Sequence, residues 1–134
     1  MAIKLSVTVR NARIGAVETS IGASAVLKIR TGAPPTNIAD ADSGTVLTTI
    51  SLPADYLGAA SSGAVAKAGT WAGTGAAAGT AGHFRIYAAD GTTQHMQGTV
   101  TITGGGGDMT LDNVSIAVGQ TVTISGLSLT DGNA

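Results

Sequence analysis

GHFRIYAADGTTQHMQGTVTIT, residues 82 to 103, decides the fold class. Phe84 and Ile86 alternate with Arg85 and Tyr87, the period-two spacing of a strand with two distinct faces. Asp90-Gly91 follows, a dipeptide that favours the tight turns joining antiparallel strands. The chain then resumes in HMQGTVTIT, which ends in an unbroken run of β-branched residues from Thr99 to Thr103. A strand, a hairpin turn and a second strand are thus predicted here.

The same period extends outward. AVLKIRT (25–31) sets Leu27 and Ile29 against Val26, Lys28 and Arg30, and TVLTTISL (45–52) is rich in β-branched residues and stops at Pro53. Between them GAPPTNIADADSG (32–44) reads as a long turn, since Pro34 and Pro35 have no N–H for a ladder. Residues 58 to 82 are rich in Ala, Gly, Ser and Thr, with one strand expected around Val65 to Trp71. GGGG (104–107) reads as a flexible hinge or loop, and MTLDN, VSIAV and QTVTISGLSLT supply two or three further strands with a turn at Gly119-Gln120. Six to eight short strands with regular turn signals predict a mainly β domain, an antiparallel sandwich or barrel.

The first segment is ambiguous. Ile3, Leu5, Val7 and Val9 alternate like a strand, whereas Leu5, Val9, Ala12, Ala16 and Ser20 share one helical stripe. Ser6 as a cap and Gly22 as a stop favour a helix over about 6 to 20. The chain therefore divides into an arm or helix, residues 1–22, and a β domain, residues 23–134, within a single domain.

Charged residues are 11% of the 134, against about 25% in ordinary soluble domains. The net charge of −1 gives little repulsion between copies, so the composition reads as a subunit of an assembly, with a sticky monomer as the alternative. It also argues against nucleic acid, which demands clustered Lys and Arg. Residues 1–30 carry Lys4, Arg10, Arg13, Lys28 and Arg30 against Glu18, a balance of +4; residues 31–134 carry Lys67 and Arg85 against seven aspartates, a balance of −5. That asymmetry suits head-to-tail or heterologous contacts. With no cysteine there is no thiolate chemistry, and the N-terminus lacks the apolar run of a signal peptide. No stretch has the ~20 apolar residues of a membrane span.

TGAAAGTAG (74–82) invites comparison with a phosphate-cradling loop. The dinucleotide fingerprint needs a buried strand before its glycines and a helix after them. Here AKAGTWAG precedes, a period-two segment follows, and no Gly-Lys-Ser/Thr occurs, so a loop or loose edge strand is expected. ADADSG (39–44) begins like a calcium loop with Asp40 and Asp42, but its glycine comes one position early and Ser51 stands where the bidentate glutamate belongs. A solvated turn is the main reading and a surface calcium site the alternative. His83 and His95 could meet across the hairpin, yet two histidines alone make a poor zinc set. The remaining aspartates sit at turns, where local hydrogen bonding explains them, and no nucleophile elbow is present. No catalytic, cofactor-binding or metal residue is assigned. Tyr56 and Trp71 are candidate contact anchors, with core packing as the alternative.

Taken together, VRNAR, LKIRTGAPP, TAGHFRIYAADGTTQHMQGTV and MTLDNVSIAVGQTVTISGLSLT resemble a group of small structural proteins of tailed bacteriophages and prophages. The matching positions are Leu27, Ile29, Thr31, Gly32 and Pro35, then Ala81, Gly82, Phe84, Arg85, Ile86, Tyr87 and Gly91. The resemblance implies a jelly-roll-like sandwich with a short N-terminal helix and a non-enzymatic role as a capsid cement or decoration subunit. Its partners would be the major capsid protein and copies of itself, as a homodimer or homotrimer, with no cofactor, nucleic acid or membrane. Its place would be the outer capsid surface of the virion, after assembly in the host cytoplasm. Arg10 and Arg13 would touch an acidic shell surface, unless the helix merely plugs the sandwich through Val9, Ala12 and Ala16. A tail or adhesin subunit, and a small calcium- or carbohydrate-binding module, are the alternative readings.

Overall fold

A computed structural model describes residues 3–131. Its order is α1 (Val7–Ile21), β1 (Val26–Thr31), β2 (Val46–Ser51), β3 (Ala64–Ala66), β4 (Ala72–Thr74), β5 (Gly79–Tyr87), β6 (Gln94–Ile102), β7 (Met109–Leu111), β8 (Ser115–Ile116) and β9 (Thr121–Thr130). The chain is mainly β, with one N-terminal helix on a curled half-barrel. The sheet runs β2-β1-β5-β6-β7-β9-β3, with β4 also on β9 and β8 on β5. Its pairs are antiparallel except β6–β7, so the sheet is mixed rather than wholly antiparallel as expected.

The hairpin read from residues 82 to 103 is present as β5 and β6. Asp90 accepts the N–H groups of Thr92 and Thr93 and Gly91 has a φ of 71°, so the turn residues do the work expected of them. On the other side of β5, β1 pairs Leu27 with Ile86, Ile29 with Phe84 and Arg30 with His83. Leu27, Ile29, Phe84 and Ile86 enter the core beside Leu47, Ile50, Met109, Leu111, Val122 and Ile124. Curling brings β2 round to the β4 end: the Thr48 hydroxyl donates to Thr74 O at 2.8 Å, and Ala76 N donates to Leu47 O.

The parallel β6–β7 pair is unusual, because such neighbours ordinarily need a crossover of a dozen residues or more. Here residues 103 to 108 suffice. Gly105 N bonds Ile102 O and Gly107 N bonds the Thr101 hydroxyl, so the glycine run folds back on the strand it has just left. A Cβ on Gly105 or Gly107 would stand under 3.0 Å from Thr101 atoms. The segment read as a flexible hinge is therefore a tightly fitted return.

The helix lies where expected, capped by the Ser6 hydroxyl on Val9 N, and ended at Gly22, whose φ is 92°. Its buried face is different. Ile14 and Ile21 are buried and Val17 packs on the core, while Val9, Ala12, Ala16 and Ser20 are not part of it. The stripe Arg10, Ile14, Val17, Ile21 wins because it carries larger apolar side chains than the alanine stripe, and burial scales with apolar area. The single strand expected over Val65 to Trp71 is also replaced, by β3 and β4 on either side of a break that carries Trp71 inward.

Two glycines make a direct test. Gly82 crosses Gly32 so closely that a Cβ would collide with Gly32 O, whereas a Cβ on helical Gly15 meets nothing within 4 Å. Gly82→Ala should lower unfolding stability by ~1–3 kcal/mol, and Gly15→Ala should raise it by ~0.5–1 kcal/mol, both read from urea denaturation.

Candidate functional site

Period two puts His83, Arg85 and Tyr87 on the outer face of β5, and Lys28 and Arg30 on that of β1. The face is covered by the segment 32–44. Arg85, with no solvent exposure, donates to Asp42 Oδ1 at 2.9 Å, to Asp40 O and Asn37 O, and twice to Gln97 Oε1 from β6. Arg30 reaches Asp42 Oδ2 at 2.8 Å and the Tyr87 hydroxyl donates to Asp42 Oδ1 at 2.7 Å. Gln97 in turn donates to Pro35 O. Burial works against ionised Asp42, but the hydrogen bonds from Tyr87 and Arg85 and the charge of Arg30 outweigh it and hold the carboxyl below its usual value. Burial and the bond to Asp42 raise Tyr87.

This arrangement revises the ADADSG reading. The turn is not merely solvated, and the cations on Asp42 are two guanidinium groups of the same chain. Asp40 accepts Asn37 N through its side chain. Among the described residues no cluster of three or more His, Cys, Asp or Glu side chains is poised for a metal. His83 and His95 do not meet: His83 lies opposite Thr99 and is buried with Nδ1 on Gly32 O, while His95 is exposed near α1. In TGAAAGTAG, Gly75 N binds Gln120 O, Ala76 N binds Leu47 O and Ala81 N binds Val114 O, so these donors are spent within the chain. The remaining turn aspartates behave as local caps, Asp108 on Thr99 and Asp112 on Asn113 and Thr123. Asp90 is drawn down to about 2 by the Thr93 hydroxyl and the Thr93 and Thr92 N–H groups.

The four expected contact residues are all accounted for inside the molecule. Arg10 donates to Asp131 O and Ser62 O, and Arg13 pairs with Asp131 at 3.2 Å with its side chain 57% exposed. Arg10 is thus a tether for α1, and Arg13 alone of the pair presents much surface. Tyr56 and Trp71 have no solvent exposure and stack edge to face, with centroids 6.3 Å apart. Their polar atoms are engaged too, Tyr56 Oη with Glu18 O and Gly22 O, and Trp71 Nε1 with Ala68 O. They are core residues, as their large apolar area favours. The charge asymmetry along the chain is likewise partly closed within it, since Arg13 and Arg30 from the basic first thirty residues pair with Asp131 and Asp42 of the acidic remainder.

A groove of about 340 Å³ lies between α1 and residues 55–60, one of several surface hollows of similar size. Ile14, Leu57 and Val65 line it with apolar surface, and Glu18 and Asp55 line it with carboxylates. Leu57 N donates to Glu18 Oε2 at 2.6 Å, which fixes one wall on the other. Burial raises Glu18 first, the Leu57 bond opposes this, and the Asp55 charge and its hydrogen bond push the same way as burial. Burial and the Glu18 charge push Tyr56 to about 12. Glu18 stood out in the sequence only as the sole glutamate; nothing in linear spacing joined it to Asp55. No protein-family model matches the chain, and neither a curated protein nor a solved structure matches it.

The Asp42 cluster is testable through its acid limb. Its folded value lies below 3.8, so its contribution is complete above about pH 4 and lost as pH falls through the depressed value. Asp42→Ala should cost about 3 kcal/mol at pH 7, since it strands the buried Arg85 charge, and should flatten the acid limb of the stability curve. Glu18 has the opposite sign: its raised value makes the protonated form the better tolerated one, so its contribution is largest below about pH 4.5 and declines as pH rises. Glu18→Gln should therefore raise the melting temperature at pH 7 and leave it nearly unchanged at pH 4.

Proposed function

We propose that the chain is a non-enzymatic structural subunit of a phage virion, a cement or decoration protein that bridges neighbouring copies of the major capsid protein. The observation that carries this reading is how the molecule distributes its charge. Asp42 and Asp131 are matched by arginines from within, leaving an outer surface dominated by small neutral residues. That surface carries scattered exposed apolar side chains, among them Ile3 at 82%, Val118 at 71% and Ile102 at 51%. Such a surface has little charge to keep copies apart and suits repeated contacts, each weak, summed over a lattice.

The sequence resemblance to phage structural proteins points the same way, and its two motif blocks are neighbours in space. Leu27 and Ile29 pair with Ile86 and Phe84, and Gly32 lies against Gly82. We read the curled sheet with its one apolar interior as kin to the jelly-roll-like sandwich that the resemblance implies. On this reading the protein sits on the outer capsid surface, as a dimer or trimer on a local axis.

Sedimentation with particles tests the proposal. The protein should travel with phage heads, and heads lacking it should lose resistance to heat or chelators. Heads that never bind it and are equally robust without it would exclude the cement role, and particle imaging that places it on the tail would replace it with a tail role.

A further inference from the structure

Among the described residues, three buried side-chain atoms have no hydrogen-bond partner within the chain: Arg30 Nε, His83 Nε2 and Asp131 Oδ2. The last faces Arg13 in an ion pair at 3.2 Å. The other two belong to neighbours, since Arg30 of β1 and His83 of β5 stand directly opposite one another in the antiparallel ladder. Such a pair has its Cβ atoms about 5 Å apart on one face of the sheet. His83 has no solvent exposure and Arg30 only 7%. A buried polar atom left without a partner is costly, and groups of this kind are satisfied by protein or by ordered water.

We infer that a single buried water molecule bridges Arg30 Nε and His83 Nε2 beneath the turn 32–44, and that it couples the two ends of that turn. The chemistry of the two nitrogens selects the occupant. His83 Nδ1 lies 2.9 Å from Gly32 O. A carbonyl oxygen only accepts, so Nδ1 carries the hydrogen and Nε2 of the neutral ring is an acceptor. Arg30 Nε–H is a donor. A ligand that serves both must accept from one and donate to the other, as water does. A metal ion would face a guanidinium, and an anion would face the lone pair of Nε2. The two side chains do not close on one another because each is held from its far side. Nδ1 is on Gly32 O, Arg30 Nη2 is on Asp42 Oδ2 at 2.8 Å, and Arg30 Nη1 reaches Ser43 O and Gly44 O at 3.4 Å. With the water in place, hydrogen bonds run unbroken from Gly32 O through the imidazole, the water and the Arg30 guanidinium to Asp42. The opening residue of the turn and its closing carboxylate are thereby clasped through one histidine.

The test is NMR of the intact protein at about pH 8, with water itself as the probe. Long-range proton–nitrogen correlation should show His83 protonated on Nδ1 and bare on Nε2. Arg30 Hε should show a cross-peak to water with the sign of a long-lived bound molecule. His83→Asn keeps a donor for Gly32 O but lacks the Nε2 acceptor; it should abolish that cross-peak and speed the exchange of Arg30 Hε with solvent at least roughly tenfold. A hydrogen on Nε2, an Arg30 Hε without contact to water, a direct coupling between the two nitrogens, or an unchanged Arg30 Hε in His83→Asn would each overturn the assignment. The first three outcomes are read on the unaltered protein, so they decide the matter even where the variant fails to fold. None of these measurements involves a capsid, and the cement reading stands or falls separately.

Discussion

One carboxylate, that of Asp42, fastens the long turn 32–44 onto the outer face of the paired strands β1 and β5. Arg30 from β1, Arg85 and Tyr87 from β5, and the long turn 32–44 all converge on it. Without that convergence the outer face of β1, β5 and β6 would be an ordinary wet sheet face with charged side chains at alternate positions. With it, a proline-containing loop becomes a lid and Arg85 becomes interior. A buried guanidinium is tolerated only when its donors are satisfied, and here Asp42, Asn37, Asp40 and Gln97 take them. The cluster therefore contributes uniqueness more than raw stability: many loop placements would bury apolar surface, but few would satisfy every donor of Arg85.

Much of the architecture was legible because it rests on local chemistry. The alternation in HFRIY, the Asp90-Gly91 turn, the Ser6 cap and the Gly22 stop each act within a few residues, and each appears in place. What escaped depends on partners far along the chain. Which stripe of α1 faces inward was decided by the larger side chains of Ile14, Val17 and Ile21, not by the Leu5–Val9–Ala12–Ala16–Ser20 spacing read from the sequence. The short parallel return through the glycine run needs Thr101 as a template, and four consecutive glycines by themselves read only as slack. Asp42 read as part of a solvated turn, with calcium as the alternative, because spacing shows carboxylates and hides the guanidinium that answers them. The Glu18–Asp55 groove had no linear signature at all, since its two walls are joined only by the docking of α1.

The internal closure of charge also explains how a chain with so few ionisable residues can be well specified. Arg10, Arg30 and Arg85 each hold long-range backbone or carboxylate oxygens, and so act as fasteners between segments that apolar contact alone would leave free to slide. The outer surface is then left largely to small, neutral side chains.

The mooring of α1 has a consequence for biosynthesis. The helix emerges from the ribosome early, but Arg10 and Arg13 fasten to Asp131, which is translated more than a hundred positions later. A polypeptide that stops short of Asp131 therefore lacks both of these fastenings. Its helix is left moored from one side only, by residues 56 to 63, which hold Glu18 and Asn11.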